Sequence, residues 1–188
     1  MRAFLAIDIS PEARAGLSEA IRLLRPESFR VKWVDPSLMH LTLKFFPDLS
    51  ADCLQPLNSA LQHVAQETPR FAFKLRGLGH FGARDRMRVL WCGVAEGAEA
   101  VSSLQRGIEE ALAPLGIPRE ERPFSPHLTI GRLREPSREP QLARALETMK
   151  NYDVAEVLAD RLILFSSLLT PGGPVYTAER AWLFEAPT

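Results

Sequence analysis

Hydrophobic positions along the chain alternate between two periods, and the switches mark out its elements. Residues 3–9 (Ala-Phe-Leu-Ala-Ile-Asp-Ile) form an apolar run of strand length. Ser10-Pro11-Glu12 follows as a helix start, with serine at the N-cap, proline in the first turn and an acid beside it. Leu17, Ala20, Ile21 and Leu24 then recur at helical spacing until Arg25-Pro26. Residues 29–34 alternate as a strand, Asp35-Pro36 turns the chain, and residues 39–46 alternate again. A second helix is expected over 50–67, with Leu54, Leu57, Leu61 and Val64 on one face and Pro56 limiting how early it is regular.

Two strands are predicted next, at 71–75 and 88–94, joined by a Gly- and Arg-rich connection. A helix near 98–113 carries Val101, Leu104, Ile108 and Leu112 and ends at Pro114 with Gly116 beyond. A strand at 126–133, a polar-faced helix at 138–150 and one long strand at 157–168 follow. Pro171-Gly172-Gly173-Pro174 turns the chain into a last strand, 175–184. Several strand-to-strand connections are too short for parallel crossovers, so the sheets should be largely antiparallel. No flexible linker divides the chain. The expected fold class is α+β: residues 1–188 as a single two-lobed domain, its sheets facing a central groove and its helices outside.

Two of the strands carry the same words. His40-Leu41-Thr42-Leu43 returns 87 positions later (127 − 40) as His127-Leu128-Thr129-Ile130. On a strand, His and Thr two apart share one face while the apolar partners turn to the other. Threonine occupies only 7 of 188 positions, so its pairing with two of the four histidines is not a matter of composition. Each tetrapeptide offers one imidazole and one hydroxyl on a surface backed by core. The other two histidines lack such a partner: His63 falls in the second helix and His80 beside Gly79 in the expected loop, and both read as structural or solvated.

Composition narrows the chemistry. The 23 basic and 23 acidic residues balance, which argues against a bulk nucleic-acid coat protein but not against a cleft that grips one phosphate. Cys53 and Cys92 provide neither a disulfide framework nor metal-type spacing, and Cys92 lies in an apolar run as a reduced, buried thiol. The run at 2–9 is too short for a signal peptide and is broken by Asp8, and no stretch approaches the roughly 20 apolar residues of a membrane span. A soluble, cytoplasmic protein is the expectation, with no membrane contact, no obligate protein partner and a monomeric state as the simplest reading.

Histidine titrates near neutrality, with a reference pKa of about 6.5, so it can act as acid or base. Two imidazoles on opposite sides of a phosphorus let one take a proton from attacking water and the other protonate a departing ribose oxygen. Thr42 and Thr129 can hydrogen-bond the non-bridging oxygens. Arg132 can supply the positive charge that phosphoryl transfer needs. Strict alternation points Arg132 away from His127, so this role requires a bulge, for which Gly131 is the candidate. Zinc is the weaker alternative, because threonine is a poor ligand and neither motif holds a Cys or carboxylate.

The ordered set resembles the two-histidine phosphoesterases, named for paired His-x-Thr/Ser-x motifs, and within them the bacterial RNA 2′,3′-cyclic phosphodiesterases, historically called 2′-5′ RNA ligases. The likeness runs nearly end to end: Arg2–Ile9 is similar to the opening strand, Lys32-Trp33-Val34 and Met39–Phe45 to the first motif and its approach, and Arg88–Val94 to the strand between motifs. Arg122–Arg132 is similar to the second motif with its trailing arginine, and Leu164–Leu168 with Pro171–Tyr176 to the closing hairpin. One departure is Phe45-Phe46-Pro47 where that family continues Phe-Leu-Gly, which should alter the turn leaving the strand.

This resemblance implies a bilobal, pseudo-two-fold α+β fold and hydrolysis of a ribonucleoside 2′,3′-cyclic phosphate to a 2′-phosphate without metal or other cofactor. It implies His40 as proton donor and His127 as proton acceptor, a division the symmetric motifs themselves do not make. The implied partner is an RNA or nucleotide with a 2′,3′-cyclic end, with Phe45, Tyr176 or Trp33 as candidates to stack on its base. The alternatives are 2′-5′ ligation or cleavage of 2′-5′ linkages with the same histidines, and a non-catalytic RNA-end binder.

Overall fold

The computed structural model describes residues 1–186 apart from Arg84. Nine strands and four helices follow one another as β1 (Ala3–Ile7), α1 (Pro11–Leu24), β2 (Val31–Trp33), β3 (Leu41–Phe46), α2 (Leu54–Glu67), β4 (Phe71–Phe81), β5 (Met87–Val94), α3 (Ala98–Leu112), β6 (His127–Ser137), α4 (Pro140–Thr148), β7 (Asp153–Ala159), β8 (Arg161–Thr170) and β9 (Gly173–Leu183). The strands form two sheets, in the orders β3-β1-β8-β9 and β2-β6-β5-β4-β7. Every strand pair within them is antiparallel. The α+β class with two antiparallel sheets is therefore as expected.

Local signals start the elements where the chain predicts. Ser10 Oγ accepts the amide of Ala13 at 3.2 Å, and Pro11 occupies the first turn of α1, where its missing N–H is not needed. Pro56 is tolerated for the same reason, as it stands within the first turn of α2. A 3₁₀ turn follows α3 at Ala113–Leu115 and ends at Gly116, whose φ of 73° stops the chain in the left-handed region.

The lobes are not consecutive halves of the chain. The strand path passes from the first sheet (β1) to the second (β2), back (β3), over again (β4 to β7), and returns for β8 and β9. Helices α1 and α4 pack on β7 and β4 of the second sheet, while α2 and α3 pack on β9 and β3 of the first. The apolar side chains of both sheets and all four helices merge into one buried cluster. Trp182 at the end of β9 is buried, its indole N–H donating to Asn58 of α2 at 3.0 Å.

Three expectations need correction. The single strand predicted at 157–168 is two strands in different sheets. β7 begins at Asp153 and pairs with β4, whereas β8 pairs with β1, and the chain changes sheets at Asp160, whose carboxylate takes two bonds from Arg161. Second, the strand expected to stop at residue 75 continues to Phe81, so His80 lies in β4 and not in a loop. Gly77 (φ 82°) marks a bulge where pairing to β5 slips, and Gly79 is the place where the strand lets the Trp91 indole lie against its backbone. Third, the final strand starts at Gly173, because only Pro171-Gly172 forms the turn.

Candidate active site

Setting β2 aside, the two sheets can be read in the same order from their motif strands: β3-β1-β8-β9 and β6-β5-β4-β7. The motif strands match in finer detail. From His40 to Phe46 and from His127 to Leu133, burial follows one sequence: half-buried, buried, half-buried, buried, buried, exposed, buried. The two consecutive buried positions are bulges. Pairing slips by one residue between Leu5/Ala6 and Lys44/Thr42 in the first sheet, and between Leu90/Trp91 and Gly131/Thr129 in the second. Beyond each bulge the alternation is reversed. Arg132 consequently lies on the His127–Thr129 face, and Phe45 lies on the His40–Thr42 face.

The imidazoles are held alike. His127 Nδ1 meets the carbonyl of Ser125 at 2.7 Å, and His40 Nδ1 meets that of Leu38 at 2.8 Å. A carbonyl only accepts, so each Nδ1 carries the proton and each Nε2 keeps its lone pair while the ring is neutral. Each ring also rests on aromatics. His40 stacks flat on Phe4 with centroids 4.3 Å apart, meets Tyr176 edge-on at 5.4 Å, and has Phe165 at 6.1 Å. His127 meets Phe81 edge-on at 4.8 Å, and Phe81 in turn packs on Trp91. Phe81 and Phe165 hold corresponding places, each two strands away from its motif histidine and opposite the residue that faces Arg132 or Phe45.

The faces meet. β3 and β6 are in contact, and the charge of Arg132 acts on both His127 and Tyr176, the latter in van der Waals range of His40. A buried ion pair joins the two halves from behind. Lys44 Nζ donates to both oxygens of Glu109 (2.9 and 2.8 Å) and to the carbonyl of Pro118 (2.8 Å), and Gln105 adds a bond to the same carboxylate. Lys44 stands on the first motif strand, Glu109 on α3, and Pro118 on the segment leading to the second motif.

Burial pulls the pKa of both histidines below 6.5, and the backbone carbonyls oppose it. The charged neighbours differ. Asp8 favours the protonated form of His40 more than Arg14 disfavours it, whereas His127 has only the cation Arg132. Asp8 and Arg14 are themselves paired, and Arg14 donates to the carbonyls of Pro36 and Met39, fixing the approach to His40. Burial raises the Tyr176 hydroxyl, against the charges of Arg132 and Arg2, so it remains a proton donor. The hydroxyls of Thr42 and Thr129 make no hydrogen bond with a described residue. Among the described residues, no three His, Cys, Asp or Glu side chains gather as a metal-holding group.

Other predicted residues fall elsewhere. Trp33 pairs with Gly131 and covers it, lining a depression with Ser18, Ile21 and Arg22 of α1. That is the helix side of the sheet, opposite Arg132, so Trp33 cannot stack on a base in the cleft. His63 is exposed on α2 beside Glu67. Cys92 is buried and free, its thiol pushed up to about 12 by burial. The sequence reading missed Phe4, Phe81, Phe165, Trp91 and the Asp8–Arg14 pair. Alternation in β1 carried the signal for one of them, since Arg2, Phe4 and Ala6 share a face.

Comparison with known proteins places the chain. The profile of the 2′-5′ RNA ligase superfamily matches residues 9–169, and the chain belongs to that family. A protein of Methanothermobacter thermautotrophicus named RNA 2′,3′-cyclic phosphodiesterase is 34% identical over 177 residues, covering 94% of this chain and 95% of its own. One of the same name from Thermotoga maritima is 33% identical, covering 94% and 91%. Among solved structures, TT0787 of Thermus thermophilus is similar over 100% of both chains, with a TM-score of 0.83 and 29% identity. E. coli LigT complexed with 3′-AMP is similar over 97% of both, with a TM-score of 0.76 and 25% identity.

Proposed function

We propose that this protein hydrolyses RNA 2′,3′-cyclic phosphate ends to 2′-phosphate ends, using His40 as general acid and His127 as general base. The observation that carries the reading is the pair of Nδ1-anchored imidazoles on matching faces, in a chain whose relatives across nearly its whole length bear the name RNA 2′,3′-cyclic phosphodiesterase. His127 Nε2 accepts a proton from water as the water oxygen bonds to phosphorus. His40 Nε2 donates its proton to O3′ as the P–O3′ bond breaks, leaving a 3′-hydroxyl and a 2′-phosphate.

The choice between the histidines rests on their charged neighbours. Asp8 favours the imidazolium that an acid must be, and Arg132 favours the neutral ring that a base must be. Thr42 and Thr129 donate to the non-bridging oxygens, and Arg132 offsets the charge that builds on them. Tyr176 donates its hydroxyl from the His40 side, and Phe45 borders the substrate beyond Thr42. The 188 residues act as one two-lobed domain, as a monomer in the cytoplasm. No helix among the described residues is long and apolar enough to cross a membrane.

The test is incubation of the protein with a 2′,3′-cyclic-ended oligonucleotide in EDTA, and product analysis by mass and phosphatase sensitivity. A 2′-phosphate end is expected, with His40→Ala and His127→Ala each about 10²- to 10⁴-fold slower. Full activity in either variant would overturn the mechanism. A 5′-hydroxyl RNA in the same mixture tests for 2′-5′ ligation, which is expected to be minor.

A further inference from the structure

In the second sheet the exposed position beyond the bulge is Arg132; in the first it is Phe45. A cation is present there nonetheless. Arg2, from the neighbouring strand position, lays its guanidinium over the Phe45 ring at 4.6 Å from the centroid. By alternation from Phe4 and Ala6, Arg2 lies on the cleft face, and its carbonyl is secured by the amide of Ser167 at 2.9 Å. Arg2 is exposed and makes no ion pair or side-chain hydrogen bond with a described residue. Its planar face is occupied by the ring, which leaves the N–H edge of the fork free for an anion.

We infer that Arg2, stacked on Phe45, forms a second cationic subsite that binds the phosphodiester immediately 5′ to the cyclic terminal nucleotide of an RNA chain. Position separates it from the reacting phosphate. Across the bulge Thr42 faces Ala6 and Phe45 faces Phe4, two residues along β1 and so on the order of 7 Å, which is on the scale of a nucleotide step. Electrostatics agree: Arg132 acts on His127 as well as on Tyr176, whereas Arg2 acts on Tyr176 and on neither histidine. Guanidinium suits this ligand because its N–H edge bridges two phosphate oxygens. In a chain with no net charge, one such local contact is how an oligonucleotide can be told from a mononucleotide.

This subsite rests on the phosphodiesterase reading above, and the test separates the two. Compare kcat/KM for a nucleoside 2′,3′-cyclic phosphate, which has no 5′ phosphodiester, with that for a short cyclic-ended oligoribonucleotide, in wild type, Arg2→Met, Arg2→Lys and Arg132→Met. Arg2→Met should lower the oligonucleotide-to-mononucleotide ratio about tenfold, and Arg2→Lys should recover part of it. The salt slope on the oligonucleotide should shrink by about 0.7, the value for one phosphate contact on a single strand. Arg132→Met should depress both substrates and leave the ratio in place. An active wild type whose ratio is indifferent to Arg2→Met overturns the subsite alone. A wild type inactive on both substrates overturns the phosphodiesterase reading and the subsite with it.

Discussion

His40 and His127 are anchored by the same bond, Nδ1–H to the carbonyl two residues upstream, in strands of different sheets. That bond leaves each Nε2 with its lone pair while the ring is neutral, and burial keeps both rings easier to deprotonate than free imidazole. In the proposed mechanism, activity of the free enzyme needs one ring neutral and the other charged. Both limbs should therefore lie below the reference pKa, and kcat/KM against pH should be a bell with its maximum on the acid side of about 6.5. A maximum above neutrality in the pH–rate profile would contradict this. Stability follows with the same sign: as pH falls below about 6.5, the unfolded chain binds protons that the folded imidazoles resist, so unfolding becomes easier.

The two limbs should respond to different neighbours. Burial is the main cause of the lowered His127 pKa and Arg132 adds to it, so Arg132→Met should move the acid limb to higher pH as kcat/KM falls. Asp8→Asn removes the charge that favours protonated His40 and releases Arg14, so the alkaline limb should move to lower pH. Opposite assignments of limb to variant would reverse the roles of the two histidines.

Thr42 and Thr129 stand at equivalent positions with hydroxyls free of described partners. Replacement by valine keeps the shape and removes the hydroxyl proposed to donate to the reacting phosphate. Each Thr→Val variant should lose kcat on the order of 10²-fold, the cost of one oxyanion donor, with little change in Tm. Single-turnover rates would separate this from slower product release.

Lys44 and Glu109 form a buried ion pair that ties the first motif strand to α3 and to the approach of the second motif. Lys44→Met strands a buried carboxylate and should cost about 3–5 kcal/mol by denaturant unfolding. Lys44→Met with Glu109→Leu should recover most of that stability. If the pair also aligns the half-sites, the double variant should remain slower than wild type even where it is fully folded.

Gly79 lies against the Trp91 indole, where an added Cβ would stand 2.4 Å from a ring carbon. Trp91 pairs across from Thr129 and packs on Phe81, which touches His127. Gly79→Ala should therefore lower activity as well as Tm. Gly107 in α3 has nothing within 4 Å of its added Cβ, so Gly107→Ala should stabilise by about 0.8–1 kcal/mol and serves as the control.

Most elements were legible because each has a local cause. Ser10 caps α1 through its own hydroxyl, Gly116 stops the turn after α3, and the alternation of His, Leu, Thr and Leu sets which side chains share a face. The break at Asp160 was not legible, because a polar pair such as Asp160-Arg161 between apolar stretches is equally at home within one strand or between two, and only partner strands distinguish them. The glycines of β4 misled for a related reason: Gly77 and Gly79 resemble turn formers until the Trp91 ring that one of them accommodates is known.

The sequence by itself determined the two half-sites: an imidazole and a hydroxyl on one face of each strand follow from a period of two and nothing more. Tertiary structure decided what those half-sites contain. The bulges that bring Arg132 and Phe45 round to the histidine faces arise from slipped pairing with β5 and β1. The aromatic beds and the charge of Asp8 or Arg132 beside each ring depend on how strands and loops are brought together. Alternation is a property of one strand, whereas register, burial and electric field belong to the neighbours that folding supplies.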